Sequence, residues 1–263
     1  MEGVRIVGIS GYGLLISLGF LVAYCAALFF ARRSATIRTD HIDSVLLWAL
    51  IPAVIGARVL FVVYHLDYFG THPQENIAVW NGGWVWHGGL LGGILGVYGY
   101  CRKTHISFLS LLDVLAPGVA LGQAIGRWGN YVNQEAYGLP TDVPWGITID
   151  TEKRLPGYES FATFHPTFLY ESIFDVLLFL FLGWLVWRRG GGWIPASAGM
   201  TNGTVFFLYL ILYSLGRFGI EFLRIDIVPL AFGLRAPQWI SLGFMIVGTL
   251  GLVWVLRKEK KVV

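Results

Sequence analysis

The chain has 263 residues, 56% of them hydrophobic and only 13% charged, with a formal net charge of +3, whereas an ordinary soluble domain carries about 25% charged residues. That balance excludes a soluble domain and predicts a polytopic membrane protein; its basic residues fall in short clusters between apolar runs, a pattern of membrane orientation rather than of nucleic-acid binding. Its two cysteines, Cys25 and Cys101, both lie inside apolar runs, which leaves no disulfide framework and no readable Cys/His metal site.

In chain order, runs long enough to cross a hydrocarbon core of about 30 Å predict about seven helices, at 12–31, 42–64, 85–101, 108–125, 167–187, 203–222 and 239–256. The first is read as a retained span, because its apolar run is too long for a signal peptide and its strongest positive cluster follows it. Between the fourth and fifth spans, residues 126–166 are polar and punctuated by Pro and Gly, with Trp145-Gly146-Ile147-Thr148-Ile149 as a possible strand. They predict a small extracytoplasmic head inserted into a single polytopic membrane domain, 1–263. The stretch 190–202, with Gly190-Gly191-Gly192 and Pro195, reads as a loop.

Basic residues gather at alternate ends of these spans: Arg32, Arg33 and Arg38, then Arg102 and Lys103, then Arg188 and Arg189, then Arg257, Lys258, Lys260 and Lys261. That side is cytoplasmic by the positive-inside rule, which puts the N-terminus out and the C-terminus in. The fold class is therefore an all-α membrane protein of about seven transmembrane helices with a small extracytoplasmic head.

Polar residues collect at the other ends. Tyr12 opens the first span, Arg58 lies in the outer part of the second, and His87 with Gly88-Gly89 opens the third. Arg127 and Asn130 are expected just past the outer end of the fourth, His165 before the fifth, and Arg217, Glu221 and Arg224 on one face of the sixth at i, i+4 and i+7. Spacing alone leaves two readings of that triad open. It is either an ion cluster that ties helices together or, with two Arg to one Glu and with Arg127 and Arg58 near, a site for a lipid phosphate that guanidinium forks match. Tyr12 by itself reads as an interfacial aromatic, and His87 as an interfacial hydrogen-bonding group or, beside a phosphate site, a general base. Glycines 92, 93 and 96 have the spacing of a helix-packing face. The classes compatible with these residues are a lipid-modifying enzyme, a transporter of an anionic solute and a non-catalytic lipid-binding protein.

Taken in order, Tyr12-Gly13, His87-Gly88-Gly89, the run Gly126-Arg127-Trp128-Gly129-Asn130-Tyr131-Val132-Asn133-Gln134-Glu135, His165-Pro166-Thr167-Phe168-Leu169-Tyr170-Glu171 and Arg217-Phe218-Gly219-Ile220-Glu221-Phe222-Leu223-Arg224 closely resemble the prolipoprotein diacylglyceryl transferases of bacterial inner membranes. The resemblance covers nearly the whole chain; Gly11, Gln134 and the length of the 190–202 stretch depart from the family pattern. It implies transfer of the diacylglyceryl group of phosphatidylglycerol to the lipobox cysteine of a prolipoprotein signal peptide, as a thioether, with release of glycerol phosphate. It implies no cofactor and no metal, partners limited to the lipid bilayer, phosphatidylglycerol and the precursor, and a site facing the outer leaflet. It carries catalytic weight onto Arg127, Arg217, His87 and Tyr12, and binding or architectural roles onto Asn130, Glu135, Gly138, Glu221 and Arg224. Arg58 is expected to bind the lipid phosphate beside them on its position alone.

Overall fold

The computed structural model describes residues 5–6, 9–34, 36–78, 80, 82–190 and 202–259. Among them the helices are α1 (Gly11–Ala31), α2 (Thr39–Tyr64), the short α3 (Leu66–Phe69), α4 (Trp86–Thr104), α5 (Phe108–Asn133), α6 (Thr167–Gly190), α7 (Thr204–Ile220) and α8 (Ala236–Glu259). Three antiparallel two-residue pairings accompany them: β1 (Arg5–Ile6) with β2 (Ile9–Ser10), β3 (Ile147–Thr148) with β4 (Thr163–Phe164), and β5 (Leu230–Ala231) with β6 (Leu234–Arg235). Helices dominate because a backbone in hydrocarbon must satisfy its own hydrogen bonds.

Six of these helices, α1, α2, α5, α6, α7 and α8, are long and apolar enough to cross a membrane. The seventh expected span is present as a helix, α4, but Gly88, Gly89, Gly92, Gly93, Gly96 and Gly99 dilute its apolar content, and by length and composition the count is six. The expected loop at 190–202 lies outside the described residues except at Gly190 and Asn202.

The chain divides into two compact units, one formed by Ser34–Leu111 and the other by Met1–Arg33 with Leu112–Val263. In the first, α2 and α4 pack antiparallel along matched small residues. A Cβ on Gly88, Gly92 or Gly96 would collide with the carbonyl oxygens of Gly56, Pro52 and Trp48 respectively. The stripe is thus a packing face, as expected for Gly92 and Gly96, and it extends to Gly88; Gly93 makes only ordinary contact with Ala49 and Ala53.

In the second unit, α1 and α5 cross just as closely. A Cβ on Gly122 would stand 2.9 Å from the Gly19 carbonyl oxygen, one on Gly118 2.6 Å from that of Ala23, and one on Gly129 2.7 Å from Cδ2 of Tyr12. This seam corrects the expected end of the fourth span. Arg127 and Asn130 do not follow the helix; they lie inside it, because Gly126 and Gly129 keep α5 against α1 to Asn133, after which Gln134 and Ala136 turn the chain with φ of 54° and 58°.

The segment after α5 builds a small cluster around Tyr137, Ile149 and Phe164. The Tyr137 hydroxyl accepts from Leu155 N at 2.7 Å and donates to Lys153 O at 3.0 Å. The expected strand in 145–149 is real but only two residues long, Ile147 facing Phe164 and Thr148 facing Thr163. At the opposite end of the unit Asp113 of α5 caps α7, taking Gly203 N on Oδ2 at 2.7 Å and Phe206 N on Oδ1 at 2.9 Å.

Candidate active site

Three helices of the larger unit bring their polar ends together. Arg127 lies in the last turns of α5, Glu171 in the first turns of α6, and Arg217 near the end of α7, with Glu221 and Arg224 just beyond. Glu171, 4% exposed, is the hub. Its Oε2 takes Arg127 Nε at 2.7 Å, and its Oε1 takes Nη1 of both Arg217 and Arg224 at 3.0 Å.

A second carboxylate extends the network. Glu221, 1% exposed, holds Arg217 Nη2 at 2.8 Å on Oε2 and Arg235 Nε at 2.8 Å on Oε1. Arg224 turns its Nε to Asp226 Oδ2 at 2.7 Å; burial alone would lower its pKa, but Asp226 and Glu171 outweigh that and raise it, so it stays charged. Arg235, on β6, donates to the carbonyls of Arg224 and Asp226 and so ties the β5–β6 hairpin to the cluster.

Of the two readings left open for the triad, the structure shows the ion cluster that ties helices together. Arg217, Glu221 and Arg224 are ion-paired to one another, and they also belong to a set of four arginines (127, 217, 224 and 235) held by Glu171, Glu221 and Asp226. Sequence reasoning missed Glu171, Asp226, Arg235 and Tyr213, whose hydroxyl accepts from Arg127 Nη2 at 3.2 Å. The bonds made by the described residues leave Nη1 of Arg127 and the Nε–H of Arg217 for a ligand.

The other expected residues divide. Tyr12 is brought to this end of the unit by the Gly129 notch. Asn130 donates to Glu135 Oε1 at 3.0 Å, and Asn133 does so at 3.4 Å, which folds Glu135 back over the end of α5. Gly138 is a clasp: a Cβ there would stand 2.9 Å from each of His165 Cβ, Leu223 O and Thr167 Cγ2, while its N–H donates to His165 O at 2.9 Å. His165 lies at the entry to α6, its Nδ1 3.0 Å from the Tyr170 hydroxyl.

Arg58 and His87 belong to the smaller unit. Arg58 is 6% exposed, and its guanidinium donates to the carbonyls of Glu75, Asn76, Gly82 and Gly83 at 2.6, 2.9, 2.8 and 3.3 Å. Arg58, expected beside a lipid phosphate, is thus engaged by the backbone carbonyls of residues 75, 76, 82 and 83. His87 is the second residue of α4, exposed, with the Trp86 ring edge-on at 5.3 Å. Among the described residues no His, Cys, Asp and Glu group could hold a metal ion.

Removing one partner of a buried ion pair costs about 3–5 kcal/mol because the other charges are left unmatched. Glu171→Gln keeps the volume and removes the charge that three arginines share, so a loss of about 3 kcal/mol in stability is expected. Its measure is the unfolding midpoint in detergent, and an unchanged midpoint would show that the arginines do not depend on this carboxylate.

Residues 4–254 match the family model described as prolipoprotein diacylglyceryl transferase. The chain belongs to that family. A phosphatidylglycerol–prolipoprotein diacylglyceryl transferase of Trichormus variabilis is 39% identical over 252 residues, covering 96% of this chain and 87% of that protein. Proteins of the same description from Fervidobacterium nodosum and Gloeobacter violaceus are 38% and 36% identical over 253 and 264 residues, covering 95% and 98% of this chain and 82% and 95% of theirs. The match to the prolipoprotein diacylglyceryl transferase family thus extends through both units.

Proposed function

We infer that this protein transfers the diacylglyceryl group of phosphatidylglycerol to the lipobox cysteine of prolipoproteins. The observation that carries the chemistry is the convergence of Arg127 and Arg217, 90 positions apart by their numbers, on the single carboxylate of Glu171, each with an N–H left over. In the reaction the substrate thiolate attacks the glyceryl carbon, a C–S bond forms, the C–O bond to phosphate breaks, and glycerol phosphate leaves with the electron pair. Charge grows on the departing phosphate, where fixed guanidinium donors stabilise the transition state. The thiolate is the reactive form of the nucleophile, and His87 is our choice of base to take its proton. Tyr12, Asn130, Glu135 and Gly138 shape the rim of the site, and Glu221 and Arg224 hold Arg217.

The purified protein, incubated with labelled phosphatidylglycerol and a lipobox peptide, is expected to yield a thioether-lipidated peptide and free glycerol phosphate. An anionic-solute transporter or a passive lipid-binding protein would leave the peptide unmodified, and that result would sink this reading.

We further propose that the cluster faces the outer leaflet of the bacterial inner membrane, with the N-terminus out and the C-terminus in. Two features of the larger unit support it. Its polar cluster and the 126–166 head share one end; the other end carries Arg33 over Trp187 at 3.3 Å, Arg188 over Trp184 at 4.5 Å and Lys258 over Trp254 at 5.6 Å, the mixture of cations and interfacial aromatics usual on a cytoplasmic face. Cysteines placed at Thr151 and Ser160 should react with an impermeant thiol reagent outside intact spheroplasts, and one at Ser197 should not. Labelling at Ser197 alone would invert the arrangement.

A further inference from the structure

One helical turn nearer the middle of the spans, a second layer of polar side chains stands on the same three helices. Gln123 precedes Arg127 by four residues on α5, Asp175 follows Glu171 by four on α6, and Tyr209 precedes Tyr213 by four on α7. Four residues on one face rise about 6 Å. Because α5 and α7 reach the cluster with their C-terminal ends and α6 with its N-terminal end, all three displacements run the same way, into the apolar part of the spans.

This layer is partly satisfied. The Tyr209 hydroxyl donates to Gln123 Oε1 at 2.9 Å, and its ring stacks on Tyr213 with centroids 5.6 Å apart. Asp175 is 2% exposed, and among the described residues its Oδ2 has no hydrogen-bond partner, although the charges of Arg127, Glu171 and Arg217 act on it. A carboxyl oxygen buried in a membrane span without a hydrogen-bond partner is costly and marks by default a functional position. No step of the transfer described above uses it.

The charges say which form of Asp175 suits the loaded site. Arg127, Arg217, Arg224 and Arg235 supply four positive charges, Glu171, Glu221 and Asp226 three negative ones, and a bound phosphodiester one more. The sum closes with Asp175 as the neutral acid, whose O–H is then a donor. Gln123 adds the N–H donors of Nε2, its Oε1 being occupied by Tyr209. Two donors one turn below a phosphate face the part of a phospholipid that lies one glycerol backbone deeper, and the acceptors there are the two acyl ester carbonyls.

We propose that Gln123 and Asp175 form a subsite that hydrogen-bonds the ester carbonyls of the diacylglyceryl group, so that the lipid is gripped at phosphate and ester together. The proposal rests on the reading of the arginine cluster as the phosphate site. The two grips flank the glyceryl carbon that reacts and set its depth against the incoming sulfur, a positioning effect that near-attack geometry rewards.

The test compares two phosphatidylglycerols of equal chain length, one with ester-linked and one with ether-linked chains, as donors to the same peptide with the full-length protein. The wild type should prefer the ester by about tenfold in kcat/KM, the scale of a buried hydrogen bond. Asp175→Leu and Gln123→Leu should bring that ratio close to one, whereas Asp175→Asn, whose amide still donates, should keep most of it. A merely structural role would depress both lipids alike and leave the ratio where it was. A wild-type ratio near one, or an undiminished ratio in Gln123→Leu, overturns the subsite, and Gln123→Leu decides alone if Asp175→Leu does not fold. Failure of the wild type to use either lipid would instead overturn the transferase reading itself.

Discussion

Arg127→Lys is expected to lower kcat/KM about 10²- to 10³-fold, the range seen when one preorganised donor to a developing oxyanion is lost, although the substitution keeps the positive charge. The geometry gives the reason. One guanidinium here reaches Glu171 through Nε at 2.7 Å and the Tyr213 hydroxyl through Nη2 at 3.2 Å while presenting Nη1 in a third direction. A lysine ammonium is a single point on a flexible stem and cannot hold a carboxylate, a phenol and a phosphate in a fixed plane. Because the charge is retained, the ion pair with Glu171 survives in part and the fold should persist. The measurement is turnover with phosphatidylglycerol and a lipobox peptide, set beside the unfolding midpoint of the same preparation. A folded Arg127→Lys protein working at near wild-type rate would remove Arg127 from the phosphate clamp. Arg217→Ala is expected to lose activity too, and a destabilised but fully active Arg217 variant would mean that Arg217 only ties α7 to α6.

The helices were legible because hydrocarbon imposes the same demand on every span, and apolar runs of the right length announce it. What composition could not give was the end of α5. Polar residues from Arg127 to Asn133 look like the start of a loop, but the helix continues because Gly122, Gly126 and Gly129 keep it seated on α1. The missing apolar weight of α4 has the same origin: its glycines serve the contact with α2 rather than the lipid.

In the site, Arg127, Arg217 and Arg224 were legible by type, and Arg235 and the hub were not. Glu171 meets Arg217 and Arg224 from 46 and 53 residues away, and Arg235 meets Glu221 across 14, so no local spacing announces either contact. A lone glutamate in the first turns of an apolar helix gives no hint of three cationic partners. Arg58 also meets partners that the sequence did not announce. Its charge and depth matched a phosphate ligand, but carbonyl groups carry no sequence signal, and four of them occupy it.

His87→Gln is expected to lower turnover about 10²- to 10⁴-fold, the usual contribution of a general base, while leaving phosphatidylglycerol binding close to wild type. Glutamine retains hydrogen bonding at the position but cannot take a proton from the substrate thiol. The residue opens α4 in an exposed position beside the Trp86 ring, so the exchange disturbs little packing and the variant should fold. If the missing function is thiolate formation, raising the pH must replace it: an unperturbed cysteine has a pKa of about 8.5, and above that value most of the peptide is already thiolate. The wild type should therefore show a shallow pH–rate profile through this range and His87→Gln a steep one, the two curves converging toward high pH. Lipid binding measured on the same preparations separates the base from a positioning group. If the variant keeps the same relative defect at pH 9 as at pH 7, or loses phosphatidylglycerol binding outright, His87 positions the lipid and does not carry the proton. The base would then be sought at the Gly129 notch or the end of α5, where Tyr12 and Glu135 stand next in line.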